Sequence, residues 1–211
     1  MISVIVPFWG NFNLDWYDEA LDSVYSQTYK GFEIVEPPLT EEVETAKGVS
    51  GRLAKCRNLM IAKAKGEFIL NLDADDKIHE TYLKKALKLM EERQVDIVYT
   101  QIQWFGTHNE MWPLEDFSPE TLKTHNYITC CSLFKKEIWE KYPYAEDMYW
   151  GYEDYDFWLG AVKNGYKAAL LAEPLFYYRR RPGQMIESCD PRQDELLAKI
   201  RSHHKELYEN D

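Results

Sequence analysis

The chain of 211 residues reads as an α/β protein with a mostly parallel central sheet flanked by helices. Three observations carry that expectation. Strand, helix and strand patterns follow one another within about the first 35 residues, the order of a βαβ unit, whose strands pair in parallel. Helix-period and strand-period segments then alternate to the end of the chain. Acidic residues follow strand-like runs, at the carboxyl edge where open parallel sheets gather their ligands.

Residues 2–6, ISVIV, are β-branched, end at Pro7 and predict a buried opening strand. From Tyr17 the apolar positions Ala20, Leu21 and Val24 form the stripe of an amphipathic helix, and FEIV at 32–35 is a second strand. EPPLTEEVETAKGVSG, 36–51, carries two prolines, several acids and no apolar period, so it predicts a surface loop. A helix is expected from Arg52 to Lys65, with Gly66 as its C-terminal cap. FILNL follows as a strand, then a helix from His79 to Arg93 turns Tyr82, Leu83, Ala86, Leu87 and Met90 inward. VDIVYTQIQWF, 95–105, predicts another strand, and 106–126 a long loop over one edge. ITCCSLF, 128–134, reads as a strand and KKEIWEKY as a short helix. A helix from Glu153 buries Phe157, Trp158, Ala161 and Val162 and closes at Asn164-Gly165. KAALLAEPLFYYRRR supplies one or two late strands. Asp190-Pro191 cap and open a final helix with Leu196, Leu197, Ile200 and Leu207 on its apolar face.

Length favours one domain, and no repeat or low-complexity tract divides it. A net charge of −11 excludes a nucleic-acid backbone as the main partner, though not a nucleotide held through a metal ion. Cys56, Cys130, Cys131 and Cys189 show no CxxC spacing, which points to reduced thiols in a cytoplasmic protein. MISVIVPFWG lacks a basic n-region and meets Pro7 too early for a signal peptide. No apolar run approaches the roughly 20 residues of a transmembrane segment, so a soluble protein is expected. Tyr (15) and Trp (7) are numerous enough to line a pocket for a flat or sugar-like ligand as well as to fill the core.

The densest chemistry lies in FILNLDADDKI, where Asp73, Asp75 and Asp76 crowd into four positions. Such carboxylates repel one another unless water or a cation intervenes. On these residues alone an acidic turn and a cation site both stand. Pro7-Phe8-Trp9 and Glu36 also follow strands at the same edge, which favours the cation site.

Five stretches taken together resemble family 2 glycosyltransferases of the GT-A fold. They are ISVIVP with ALDSVYSQTYKGFEIV, CRNLMIAKAKGEFILNLDADD, CSLFKKEIW, GYEDYDFWLGAVKNGYK and EPLFYYRRRPGQM, in the family's order. The resemblance implies a single, Rossmann-like GT-A domain over 1–211. Its nucleotide-binding half runs to about residue 103, its acceptor and catalytic half over about 104–188, and a C-terminal helix over about 190–208. It implies transfer of a hexose or deoxyhexose from a UDP-sugar of the UDP-glucose kind to a hydroxyl of a glycan or glycoprotein acceptor, with inversion. Mn²⁺ or Mg²⁺ would be held by Asp75 and Asp73, the DxD pair, as a Lewis acid for the departing diphosphate. Asp76 would instead cap the next helix.

Donor contacts carried over from the resemblance are Pro7, Phe8, Trp9, Glu36, Arg57, Asp73, Ala74, Asp75, Arg179 and Arg181. Asp154 takes the general base's part, Glu153 grips the acceptor, and Trp112, Trp150 and Tyr152 bind it. Read locally, Glu153-Asp154 is also an acidic helix N-terminus favoured by the helix dipole, Arg57 an exposed helix charge, and His203-His204 a solvated pair. Three departures stand out: Arg181 where the family often writes histidine in YRxHPGS, Glu36-Pro37-Pro38 in place of a VDDGS-like stretch, and Gly160 where arginine is frequent. A non-catalytic nucleotide-sugar binder and a DxD phosphotransferase are the rival readings. The resemblance also extends to short modules at the front of larger, sometimes virus-encoded, transferases, which implies further domains of a longer chain.

Overall fold

β1 (Ile2–Ile5) is buried along its whole length, as its run of branched side chains requires. It pairs in parallel with β2 (Phe32–Val35) on one side and β3 (Phe68–Asn71) on the other. The structure, a computed structural model, describes residues 1–8, 13–37, 53–184, 187 and 190–209. Trp9, Arg52, Cys189 and most of the expected 36–51 loop lie outside the described residues. Ser3, the polar member of β1, donates to Glu33 Oε1 at 2.6 Å and accepts from Gly66 N at 2.8 Å.

Between β1 and β2 runs α1 (Leu14–Tyr25), where Asn13 Oδ1 accepts from Asp15 N at 2.9 Å and Ala20 and Val24 face the sheet core. α2 (Leu53–Lys63) leads to β3, and β4 (Lys77–Ile78) to α3 (Tyr82–Arg93). The second half comprises β5 (Ile97–Gly106), β6 (Met111–Trp112), α4 (Pro119–Thr124), β7 (Leu133–Lys135), α5 (Lys136–Lys141), α6 (Glu153–Lys163), β8 (Ala168–Arg180) and α7 (Gln193–His203). The strand order is β2-β1-β3-β7-β5-β8-β4, with β6 beside β5. Parallel ladders β1–β2, β1–β3 and β5–β8 carry most of the paired residues. β7 runs antiparallel to both β3 and β5, which makes the sheet mixed.

That inversion has a consequence for the site. The carboxyl ends of β1, β2, β3, β5 and β8 share one edge, and β7 enters the sheet from it, so Cys130 arrives beside the acids.

Several local expectations change in the fold. The 106–126 segment is not all loop: it contains β6 and α4, the latter capped by Ser118 Oγ accepting from Thr121 N at 3.1 Å. Of 128–134 only Leu133 and Phe134 lie in a strand, because the residues before them turn down into the edge. Asp190-Pro191 form a 3₁₀ turn ahead of α7, and Leu207 lies in a second one beyond its end. Gly66 is absent from the residues with positive φ. It is needed for close approach, since a Cβ there would meet Ser3 N and Oγ at 2.6 Å and Met1 O at 2.9 Å. Gly165, at φ +82°, does close α6 as expected. Among the described residues no helix is long and apolar enough to cross a membrane.

Candidate active site

The chain leaves β3 through buried Asn71 and Leu72 and turns over the acids, with Asp76 N donating to Asp73 O at 3.0 Å. Their repulsion is met in three different ways. Asp73 Oδ1 accepts from Arg57 Nη2 at 2.8 Å, and its Oδ2 from Cys130 Sγ at 3.4 Å. Asp75 Oδ2 accepts from both Nε (3.1 Å) and Nη2 (2.9 Å) of Arg181. Asp76 is 1% exposed and accepts from Arg179 N at 2.7 Å instead of capping α3, whose N-cap position is Thr81. Burial, then Asp75 and Asp73, hold Asp76 well above the usual carboxylate range, so this third charge is the one most readily given up. Burial and Asp73 raise Asp75 as well, with Arg181 opposing.

β8 delivers the arginines. Its alternation sends Arg179 and Arg181 to one face and Arg180 to the other, over Trp104 at 5.0 Å. Arg179 Nε donates to Asp75 O at 2.7 Å and Nη2 to Glu19 Oε2 at 3.0 Å, while its guanidinium lies between Phe105 (4.4 Å) and Trp16 (4.9 Å). Arg179 therefore braces the acidic turn. The Trp16 ring also supports Arg181, 5.1 Å away, a role no local sequence signal announces.

Arg57, expected as an exposed charge or a nucleotide contact, is 1% exposed on α2. It joins Asp73 to Glu153 Oε1 and lies 5.6 Å from the Tyr144 ring centroid. Burial alone would weaken its charge, but Asp73 and Glu153 hold its pKa well above the ordinary value. Glu153, expected to grip the acceptor, is thus buried, with Oε1 held by Arg57.

α6 starts at Glu153 after two left-handed residues, Gly151 (φ +126°) and Tyr152 (φ +64°). A non-glycine residue in that region costs about 1–3 kcal/mol, and here the strain directly precedes the acidic pair. Among the described residues Asp154 has no ion pair; its Oδ1 accepts from Tyr155 N at 2.7 Å. Burial, then Glu153, push its pKa up to about 7, with Arg57 opposing. A carboxylate set near neutrality is suited to taking a proton.

The rear of α6 is fastened as well. Asp156 Oδ1 pairs with His203 Nδ1 at 2.8 Å and His204 Nε2 at 3.0 Å, and Tyr142 OH donates to its Oδ2 at 3.1 Å. His204 is fully buried, so the expected solvated pair is instead the anchor of α7. Gly160 now has a reason: a Cβ would stand 2.2–2.6 Å from the Tyr142 ring.

Of the other expected contacts, Pro7 is buried, and Phe8 packs edge-on to Tyr17 at 5.2 Å. Glu36 is exposed at the end of β2, and Ala74 lies half-buried between the two DxD acids. Trp150, under the Arg192 guanidinium at 4.0 Å, and Tyr152 stand at the start of α6. Trp112 lies in β6 beside β5, against Trp104 at 5.6 Å. Asp75 and Asp73 offer the hard oxygens that Mn²⁺ or Mg²⁺ takes, usually with one or two carboxylates and the rest of the shell from phosphate and water. Among the described residues no three His, Cys, Asp or Glu side chains converge as a ready metal cage. In donor chemistry the pair suits such an ion, which would need phosphate and water oxygens to complete its shell.

Comparison with known proteins bears on the family and the fold. The model of the family described as Glycosyl transferase family 2 matches residues 47–153, about half of the chain. An uncharacterized glycosyltransferase of Methanocaldococcus jannaschii is 26% identical over 213 residues, covering 87% of this chain and 69% of its own length. Residues 1–349 of S. aureus TarS in complex with UDP-GlcNAc superpose with a TM-score of 0.73 at 19% identity, covering 96% of this chain and 66% of that one. The mannosyltransferase PcManGT of Pyrobaculum calidifontis, in complex with GDP-Man and Mn²⁺, gives 0.61 at 17% identity, covering 95% and 69%. At these identities the two structures establish the fold, which is GT-A.

Proposed function

The chain belongs to glycosyltransferase family 2, and on that premise we propose that it transfers a sugar from a UDP-sugar to an acceptor hydroxyl, with inversion and with Asp154 as general base. The observation that carries this reading is Asp154 itself: a carboxylate poised at about 7, joined to the acidic turn through the Glu153–Arg57–Asp73 bridge. As the acceptor oxygen attacks the anomeric carbon, its proton passes to Asp154. The bond from that carbon to the diphosphate oxygen breaks, and the nucleoside diphosphate leaves with the electron pair.

Pro7, Phe8 and Glu36 border the base and ribose, and Asp73, Ala74, Asp75 and Arg181 the diphosphate and sugar. A Mn²⁺ or Mg²⁺ ion on Asp75 and Asp73 would neutralise charge on the departing diphosphate. Trp150, Tyr152 and Trp112 serve the acceptor, a glycan or glycoprotein. We read the chain as one domain with a nucleotide-binding half over about 1–103, an acceptor and catalytic half over about 104–188 and a C-terminal helix over about 190–208, working in the cytoplasm. Uridine as the base is supported by the likeness to TarS, whose structure holds UDP-GlcNAc. The donor is a UDP-hexose, UDP-glucose first and UDP-GlcNAc next.

The experiment is a thermal-shift screen of UDP- and GDP-sugars, followed by release of UDP from the best donor. Asp154→Asn should keep the donor's thermal shift and lose about 10²–10⁴ in rate. Transfer at the wild-type rate by that variant would remove Asp154 from its role. Donor binding with no release under any condition would leave a nucleotide-sugar binder.

A further inference from the structure

We propose that Arg181 is a resident counter-cation of the DxD turn, which a divalent ion must displace, so that ion and nucleotide-sugar bind this chain together and the ion binds poorly alone. The inference deepens the donor reading above and rests on it.

Position comes first. Nε and Nη2 of Arg181 both reach one oxygen, Asp75 Oδ2, so the guanidinium already holds one of the two oxygens this carboxylate could offer an ion, and its charge stands beside the other. An ion there meets a fixed like charge, and arginine cannot relieve it by losing its proton. Its placement is built. The Trp16 ring lies 5.1 Å away, Arg181 N donates to Gln184 Oε1 at 3.1 Å, and Gln184 Nε2 returns to Arg179 O at 2.5 Å. The turn that makes this return needs Gly183 at φ +76°.

Charge then decides what moves the guanidinium. Asp73 is already matched by Arg57, which is buried and tied to Glu153 as well. Asp75 is matched by Arg181 alone among the ion pairs of the described residues. A dication arriving by itself would take from Arg181 the one carboxylate it pairs with among the described residues. A dication arriving with a diphosphate brings a new partner, because phosphate oxygens take a guanidinium bidentately as a carboxylate does. The Arg181 side chain is 34% exposed, so it has room to swing from Asp75 to an incoming phosphate. Nη1, only 3.5 Å from Gly183 O, is the arm most easily turned.

The test measures Mn²⁺ binding by electron paramagnetic resonance and UDP binding by calorimetry, each ligand alone and both together. For the wild-type chain, UDP should raise Mn²⁺ affinity at least thirtyfold, and Mn²⁺ should raise UDP affinity by the same factor. Arg181→Gln and Arg181→His should bind Mn²⁺ alone at least tenfold more tightly, and the mutual enhancement should shrink. Arg181→Lys, which keeps the charge, should behave like the wild type; a purely structural role would make all three variants alike. Arg180→Gln removes a neighbouring charge that does not touch Asp75 and should change Mn²⁺ binding by less than threefold. Equal Mn²⁺ affinity for the wild type and Arg181→Gln, without UDP, overturns the proposal. If UDP fails to bind with or without Mn²⁺, the donor reading falls, while the metal-only comparison still decides the role of Arg181.

Discussion

Replacing Arg57 with methionine tests how the two halves of the site are held together. The guanidinium is 1% exposed and sits between Asp73, whose side chain is 26% exposed, and Glu153, which is 7% exposed. Methionine fills a similar volume but leaves Glu153 as an almost fully buried carboxylate without a counter-charge. Breaking one side of a buried ion pair costs about 3–5 kcal/mol. Most of that belongs to the Glu153 arm, because water screens the partly exposed Asp73. Against a typical domain stability of about 5–15 kcal/mol the loss is large but survivable. In urea, at a slope of about 2 kcal/mol per molar, the midpoint should fall by roughly 1.5–2.5 M. The double variant Arg57→Met with Glu153→Gln removes the stranded charge and should recover about 1–3 kcal/mol of it. Circular dichroism and tryptophan fluorescence should follow one transition in each variant. An Arg57→Met midpoint within about 0.5 M of wild type, or a double variant no more stable than the single one, would refute the bridge as the element that aligns Asp154 with the acidic turn.

Three further outcomes are expected. Because Asp154 must be unprotonated to accept a proton and sits at about 7, kcat/KM should rise with unit slope below that pH and level off above it; a profile flat from pH 5 to 8 would remove it as the base. Gly160→Ala should leave the urea midpoint unchanged or lower, since displacing the Tyr142 ring costs about 1–3 kcal/mol against the roughly 1 kcal/mol that alanine adds to a helix; a clear gain in stability would contradict the packing. Asp156→Asn should cost about 2–3 kcal/mol through the loss of charge-assisted hydrogen bonds to His203, His204 and Tyr142, and a midpoint unchanged from wild type would show that α7 is held by its apolar face alone.

What could be read in the sequence was whatever depends on neighbours along the chain. The βαβ opening, the helices at 82–93 and 153–163 and the Gly165 stop follow from periodicity and turn chemistry over fewer than 20 residues. The Ile128–Ser132 stretch misled because an apolar run reads as strand whether it lies in the sheet or turns into its edge; only the antiparallel entry of β7 settles which. The acidic knot was legible as a problem, but its solution was not. Arg57 lies 16 residues before Asp73 and 96 before Glu153, and Arg181 lies 106 after Asp75. His203 and His204 looked solvated for the same reason, their carboxylate partner being 47 and 48 residues away.

These long-range pairs share a logic that local patterns cannot carry. The acids around the turn and α6 find their partners on other elements: Asp73 and Glu153 on α2, Asp75 at the end of β8, Asp156 on α7. Until those elements dock, the acids of the turn repel one another with little compensation, so formation of the turn is tied to completion of the sheet. Asp154 shows what is left where no ion pair forms. It is the acid of the ED pair that makes none among the described residues, and burial with Glu153 beside it outweighs the opposing Arg57 and lifts its proton affinity to about 7, the range the proposed base requires, whereas the more deeply buried Asp76 is lifted well above the usual carboxylate range.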